Sequence, residues 1–197
     1  MDRRHLGSGL HPGRVRPVAS DRETLGPGRV GRLRLLRLTL AVLLGSALHL
    51  VCTPAGLPVT WALATPKVDE RQVLTAVLDH DPDLIAERPG LLIVADKGYV
   101  SAELDRWLAE RGVRLLRPSY RNRTPRPDEH LLKPVRQLIE SVNDTLKGQL
   151  DLELHGGRSI EGVGARIAQR LLAMTAAIWH NRITGQAVTR SLIAYDH

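Results

Sequence analysis

Residues 91–95 read Leu-Leu-Ile-Val-Ala and run without a polar interruption into Asp96-Lys97-Gly98-Tyr99. An unbroken apolar run of this length, closed by a glycine that permits a sharp backbone exit, reads as a buried strand with a carboxylate at its end. Such a carboxylate must be solvated, paired or bound to metal, because burying it alone is expensive. Metal ligands and catalytic bases often sit at strand ends of this kind. The other reading is an Asp that caps the turn or helix that follows.

The segments around this run carry their own signals. Leu48 to Val51, then Thr53-Pro54-Ala55-Gly56, then Leu57 to Leu63 reads as a β-hairpin, closed by Pro66. Val68 to Leu78 has apolar residues at 68, 73, 74, 77 and 78, and Asp69 and Glu70 suit a helix N-terminus. Asp79 to Pro89 reads as a polar connection. After Tyr99, Ser101 is placed to cap a helix with Leu104, Trp107 and Leu108 on its apolar stripe, and Gly112 to stop it. Val113 to Pro118 is then a short strand. Strand, helix, strand implies a parallel crossover, and ligands in such sheets bind at the carboxyl ends of the strands, where Asp96 stands. Arg117 to Glu129 reads as a loop, Leu131 to Leu150 as a long helix, and Ser159 to His180 as a last helix after Gly156-Gly157.

The net charge of +7 is uneven along the 197 residues. Residues 1–52 hold nine arginines against three acidic residues, a net of +6, which leaves +1 for the remainder. Residues 1–31, rich in Arg, Gly and Pro without an apolar period, read as disordered. Arg32, Arg34 and Arg37 lead into an apolar stretch from Leu38 to Val51 that resembles a secretory signal. It is short for a membrane span, and Leu50 and Val51 stand where a cleavage site needs small residues. The single cysteine, Cys52, excludes an intramolecular disulfide and a multi-cysteine zinc site, and the eight histidines show no ligand spacing. In the body of the chain the basic residues cluster at Arg114, Arg117, Arg121, Arg123 and Arg126.

In the helix from Leu131, Arg136, Glu140, Asn143 and Lys147 are spaced by four, three and four. At about 100° per residue they fall within roughly 60° of arc, a single polar stripe, and Val135, Leu138, Ile139, Val142 and Leu146 face another way. An ordinary solvated face with an Arg136–Glu140 pair fits this pattern as well as a functional one. Asp-Lys-Gly-Tyr at a strand end, followed by Arg-x3-Glu-x6-Lys on a helix, resembles the DDE-type transposases of bacterial insertion sequences over the stretch from Leu48 onward. One place departs from that pattern, since the family usually has Tyr three residues before the Arg and here it is Lys133.

The resemblance implies an α/β chain with an RNase H-like catalytic domain, Mg²⁺ or Mn²⁺ as a pair of ions, and DNA as partner at both transposon ends and target. It also allows a homodimer, and implies a cytoplasmic location with no membrane role. Two ions suit in-line displacement at phosphorus, and hard oxygen ligands suit those ions. By resemblance Asp96 is the second carboxylate of the triad and Glu140 the third. Arg136 and Lys147 would contact DNA phosphates, and the loop holding Arg117, Arg121, Arg123 and Arg126 would grip the DNA backbone.

The first carboxylate should lie on a strand before the hairpin, where only Asp2, Asp21 and Glu23 precede Leu48, and none lies in a strand-like stretch. The expectation is therefore an incomplete RNase H-like domain over 47–197, defective in catalysis. Residues 1–46 are expected to be a disordered basic tail and an out-of-frame reading of the transposase's own coding region. Codons can be chosen for Arg32 to Leu38 that give Gly-Tyr-Gly-Tyr-Cys-Ala when read one base later. A non-catalytic DNA-binding or assembly module, and a membrane-anchored or exported protein, are the alternatives.

Overall fold

The computed structural model describes residues 10–14, 34–42, 45–119, 128–154 and 156–186, with backbone alone for the first two stretches. Six strands form one sheet: β1 (Leu10–Arg14), β2 (Arg34–Val42), β3 (Ser46–Cys52), β4 (Pro58–Ala64), β5 (Leu92–Val94) and β6 (Arg114–Leu116). They are ordered β1-β4-β3-β2-β5-β6. β2, β3 and β4 are successively antiparallel, and β5 and β6 run parallel to β2 and to each other. The expected hairpin is β3–β4. Its turn holds because Gly56 takes φ +81° and Thr53 accepts the Leu57 N–H through Oγ1 at 3.2 Å.

Helices cover both faces. α1 (Glu70–His80) begins at Asp69, whose side chain accepts the Arg71 N–H, and α3 (Ala102–Glu110) begins at Ser101, which accepts the Leu104 N–H at 3.2 Å. Gly112, at φ +68°, ends α3, and the Val113 N–H reaches back to the Leu108 carbonyl at 2.9 Å. Leu74 and Leu78 of α1 and Leu104 and Leu108 of α3 bury one face of the sheet with Ile93 and Ala95. Between them the stretch read as a polar connection contains a short helix, α2 (Asp83–Ala86), pinned by the buried Leu84.

On the opposite face lie α4 (Leu132–Asp144) and α5 (Ile160–Ile183). α5 sets Val163, Ile167, Leu171, Met174 and Ile178 against Leu48, Leu50, Trp61 and Leu63, the helical period meeting the two-residue period of the strands. α4 seats Val135 and Leu138 on Leu92, Val94 and Leu116.

Two features correct the sequence reading. The sheet extends beyond the boundary placed at residue 46, because β1 and β2 come from the segment read as tail. β2 pairs with β3 from Leu36↔Cys52 to Val42↔Ser46, so the apolar run of residues 38–51 is divided between two strands. Among the described residues no helix is long and apolar enough to cross a membrane. The helix expected to reach Leu150 leaves α geometry at Thr145, where a wider π-helical turn covers Thr145–Gln149 and the Leu150 N–H bonds to the Thr145 carbonyl.

Candidate functional site

β5 delivers Asp96 to the carboxyl end of the sheet. Leu92 and Val94 face α4, whereas Ile93 and Ala95 face α1 and α3. Strand alternation therefore gives Asp96 the parity of the α4 face. Its backbone is extended, and Oδ1 accepts the Gly98 N–H at 2.8 Å at the head of the 3₁₀ turn Lys97–Tyr99. Asp96 thus caps a turn, while its residue stays exposed to solvent. A Cβ at Gly98 would stand 3.1 Å from Asp96 Oδ1 and 3.7 Å from Glu70 Oε2, so the glycine keeps the space beside these two carboxylates open. Glu70 was legible in the sequence only as a charge suited to a helix N-terminus. Nothing local announced that α1 would bring it beside the Asp96 turn.

β2 lies directly beside β5, in the parallel register Arg34↔Leu92, Leu35↔Ile93, Leu36↔Val94. Continuing by two residues sets Leu38 level with Asp96. The strand reads Arg-Leu-Leu-Arg-Leu-Thr-Leu-Ala-Val and contains no acidic residue.

Glu140 lies on the exposed side of α4 and accepts from Arg136 Nε at 3.1 Å, the i to i+4 pair that the spacing predicts. Lys147 falls in the π-helical turn, whose wider winding takes it out of phase with Arg136 and Glu140. Its Nζ meets Glu153 Oε1 at 2.7 Å instead. Asn143, the remaining member of the stripe, buries its Oδ1 without a hydrogen-bond partner.

Arg117 is corrected outright. It is buried, and its guanidinium donates to both oxygens of Asp105 on α3, so it fastens α3 to the end of β6 and has no free face for DNA. Arg121, Arg123 and Arg126 lie outside the described residues. The ends of their segment are tied at the base: Glu129 accepts from Ser119 N at 3.0 Å and from Ser119 Oγ at 2.8 Å, and Arg114 meets Asp128 at 3.4 Å.

A groove of about 440 Å³ between α1 and α3 is lined by Asp69, Arg71, Asp79, Glu103 and Trp107, and contains neither Asp96 nor Glu140. Within it the hydrogen-bonded Asp69 carboxylate raises the pKa of the Arg71 guanidinium further above its already high ordinary value.

Apart from β1, which adds antiparallel to β4 at the edge, the strand order, with three antiparallel strands followed by two parallel ones and a carboxylate at the end of β5, is the RNase H-like arrangement that the resemblance implied. Residues 44–176 match the family described as Transposase DDE domain. The chain belongs to the DDE transposase family. Among solved structures it is similar to the catalytic core domain of BIV integrase, at 12% identity over 73% of this chain and 84% of that one, with a TM-score of 0.49. No curated protein matches it.

DDE transposases carry out DNA transposition and depend on divalent metal ions, and the residues present can be tested against that need. Asp96 and Glu140 have the right donor chemistry, and Gly98 leaves room beside Asp96. The strand level with Asp96 supplies no carboxylate, however, and the described residues hold no group of three His, Cys, Asp or Glu side chains able to share a metal ion. This donor set does not fit a pair of ions.

Proposed function

We propose that this DDE transposase domain engages DNA, both transposon ends and target, and is defective in strand cleavage and strand transfer on its own. The observation that carries this reading is the β2–β5 register, which puts an apolar and basic strand where a carboxylate would have to face Asp96. Asp96 and Glu140 are then the surviving members of a site for two Mg²⁺ or Mn²⁺ ions. With too few anionic ligands, two cations brought within a few ångströms of each other are not compensated, and the second ion is lost.

DNA contact is proposed for Arg136 on α4 and for Lys147 on the π-helical turn that follows it, with Arg121, Arg123 and Arg126 as further backbone contacts. Such contacts are sequence-independent and salt-dependent. Two equivalent transposon ends are most simply met by a two-fold symmetric pair of chains, so a homodimer is the proposed assembly, in the cytoplasm.

The test incubates purified protein with transposon-end DNA and Mn²⁺. Salt-sensitive binding without cleavage is expected. Cleavage that disappears in Glu140→Gln would overturn the defect, and absence of binding at low salt would overturn the DNA reading.

A further inference from the structure

Lys147 and Glu153 form an ion pair that the sequence pattern does not announce and that the function so far leaves unused. Glu153 sits on the 3₁₀ turn Leu152–Leu154, and that turn is firmly placed. Leu152 is fully buried with Leu146 in the core under α5, the Asp151 carbonyl accepts from Arg170 Nε at 3.2 Å, and the Leu154 N–H returns to the Asp151 carbonyl at 3.0 Å. The turn, anchored by Leu152, therefore presents Glu153 to Lys147. Both side chains remain partly open, at 40% for Lys147 and 49% for Glu153, so a third group can approach the ammonium.

We infer that Glu153 is a built-in competitor for DNA at Lys147: its carboxylate occupies the ammonium in the free protein and must be displaced before a backbone phosphate can bind there. The inference rests on the proposal that Lys147 contacts DNA. The pair differs from Arg136–Glu140, because Glu140 is a proposed metal ligand, whereas Glu153 is not. A phosphate oxygen and a carboxylate oxygen make the same charge-assisted hydrogen bond to a lysine, so the two exclude each other at close range. Glu153 thereby weakens binding at this position and lowers the background affinity of the domain for arbitrary DNA.

The experiment measures fluorescence anisotropy of a labelled duplex at low salt, without metal, for wild type, Glu153→Gln, Lys147→Gln and the double variant. Both positions are exposed enough that circular dichroism should confirm unchanged folding. Glu153→Gln is expected to bind roughly two- to fivefold more tightly, the scale of an exposed ion pair. In the Lys147→Gln background the same change should have no effect beyond error, because the competition has nothing to act on. An equal gain with and without Lys147 would mean that only bulk charge had changed, and would overturn the inference while leaving Lys147 as a DNA contact. If Lys147→Gln binds as wild type does, the DNA role of Lys147 falls, and the competitor role of Glu153 with it.

Discussion

Arg117 and Asp105 form a two-pronged ion pair, at 2.5 Å and 2.7 Å, with the Arg117 side chain 3% exposed and that of Asp105 42% exposed. It joins the end of β6 to the middle of α3 and compensates the charge of the buried guanidinium. Arg117→Ala is expected to destabilise the domain by about 3 kcal/mol, in the range for breaking a buried pair by removing one partner. Asp105→Asn should act in the same direction, because it strands the guanidinium. Urea unfolding checks both. At temperatures where Arg117→Ala remains folded, the salt dependence of its DNA binding should match the wild type, since a residue without a free face releases no counterions.

The fate of Arg117 shows where the sequence could be read and where it could not. The hairpin, α1, α3 and α5 were legible because each carries both a hydrophobic period and a local stop or start: Gly56 at the turn, Asp69, Ser101 and Ser159 at helix N-termini, Gly112 at a C-terminus. Asp96 was legible because an apolar strand has to end somewhere, and a carboxylate at that end is conspicuous. Arg117 was not, because it stands in a run of arginines and prolines, and burial of one arginine among five depends on Asp105 reaching it from another element. The π-helical turn was not legible either. Leu146 and Leu150 keep the α spacing, while the wider turn buries Thr145 and Leu146, the latter in one core with Leu152. β2 was missed because Arg34 and Arg37 made it read as part of a basic tail, while its pairing with β3 and β5 is a tertiary matter.

Asp96 caps the turn and, in the proposed function, is also a metal ligand, and substitution can separate the two. As a cap it needs only an acceptor at Oδ1 for the Gly98 N–H. Asp96→Asn should therefore retain stability to within about 0.5 kcal/mol, whereas Asp96→Ala should lose about 1 kcal/mol. Any divalent-ion binding should be lost in both, since Asn is a neutral and weaker donor. Thermal unfolding together with Mn²⁺ titration followed by electron paramagnetic resonance separates the two. Equal destabilisation by Asn and Ala would mean that the turn depends on the charge rather than on the hydrogen bond.

Leu38 is level with Asp96 when the register from Arg34↔Leu92 to Leu36↔Val94 is continued. A carboxylate introduced there should restore an anionic ligand. Leu38→Asp is expected to raise Mn²⁺ affinity about tenfold over wild type, an effect of added ligand charge. Thr39→Asp, one residue on and of opposite parity, should not. The gain should vanish when Asp96→Asn is added. If Leu38→Asp and Thr39→Asp behave alike, the register does not locate the defect.

The same strand makes a prediction about the coding DNA. β2 occupies the place next to β5 that a metal-ligating strand would take, yet the family match begins at residue 44, after that strand ends. We propose that this segment, which pairs by backbone hydrogen bonds but carries arginine and leucine where a carboxylate would belong, is an out-of-frame reading that happens to remain apolar. Strand pairing tolerates such a change because the ladder uses main-chain groups, whereas metal binding does not, because it uses particular side chains. Translating the coding DNA in all three frames from well upstream of Met1 should therefore reveal, one base later, a strand bearing an Asp that meets the present frame near Leu48. An absence of any such frame would make residues 1–46 a genuine part of the domain. The first ligand would then have to come from another chain or be dispensed with, and the DNA-binding role would stand without an ancestral cleavage site to restore.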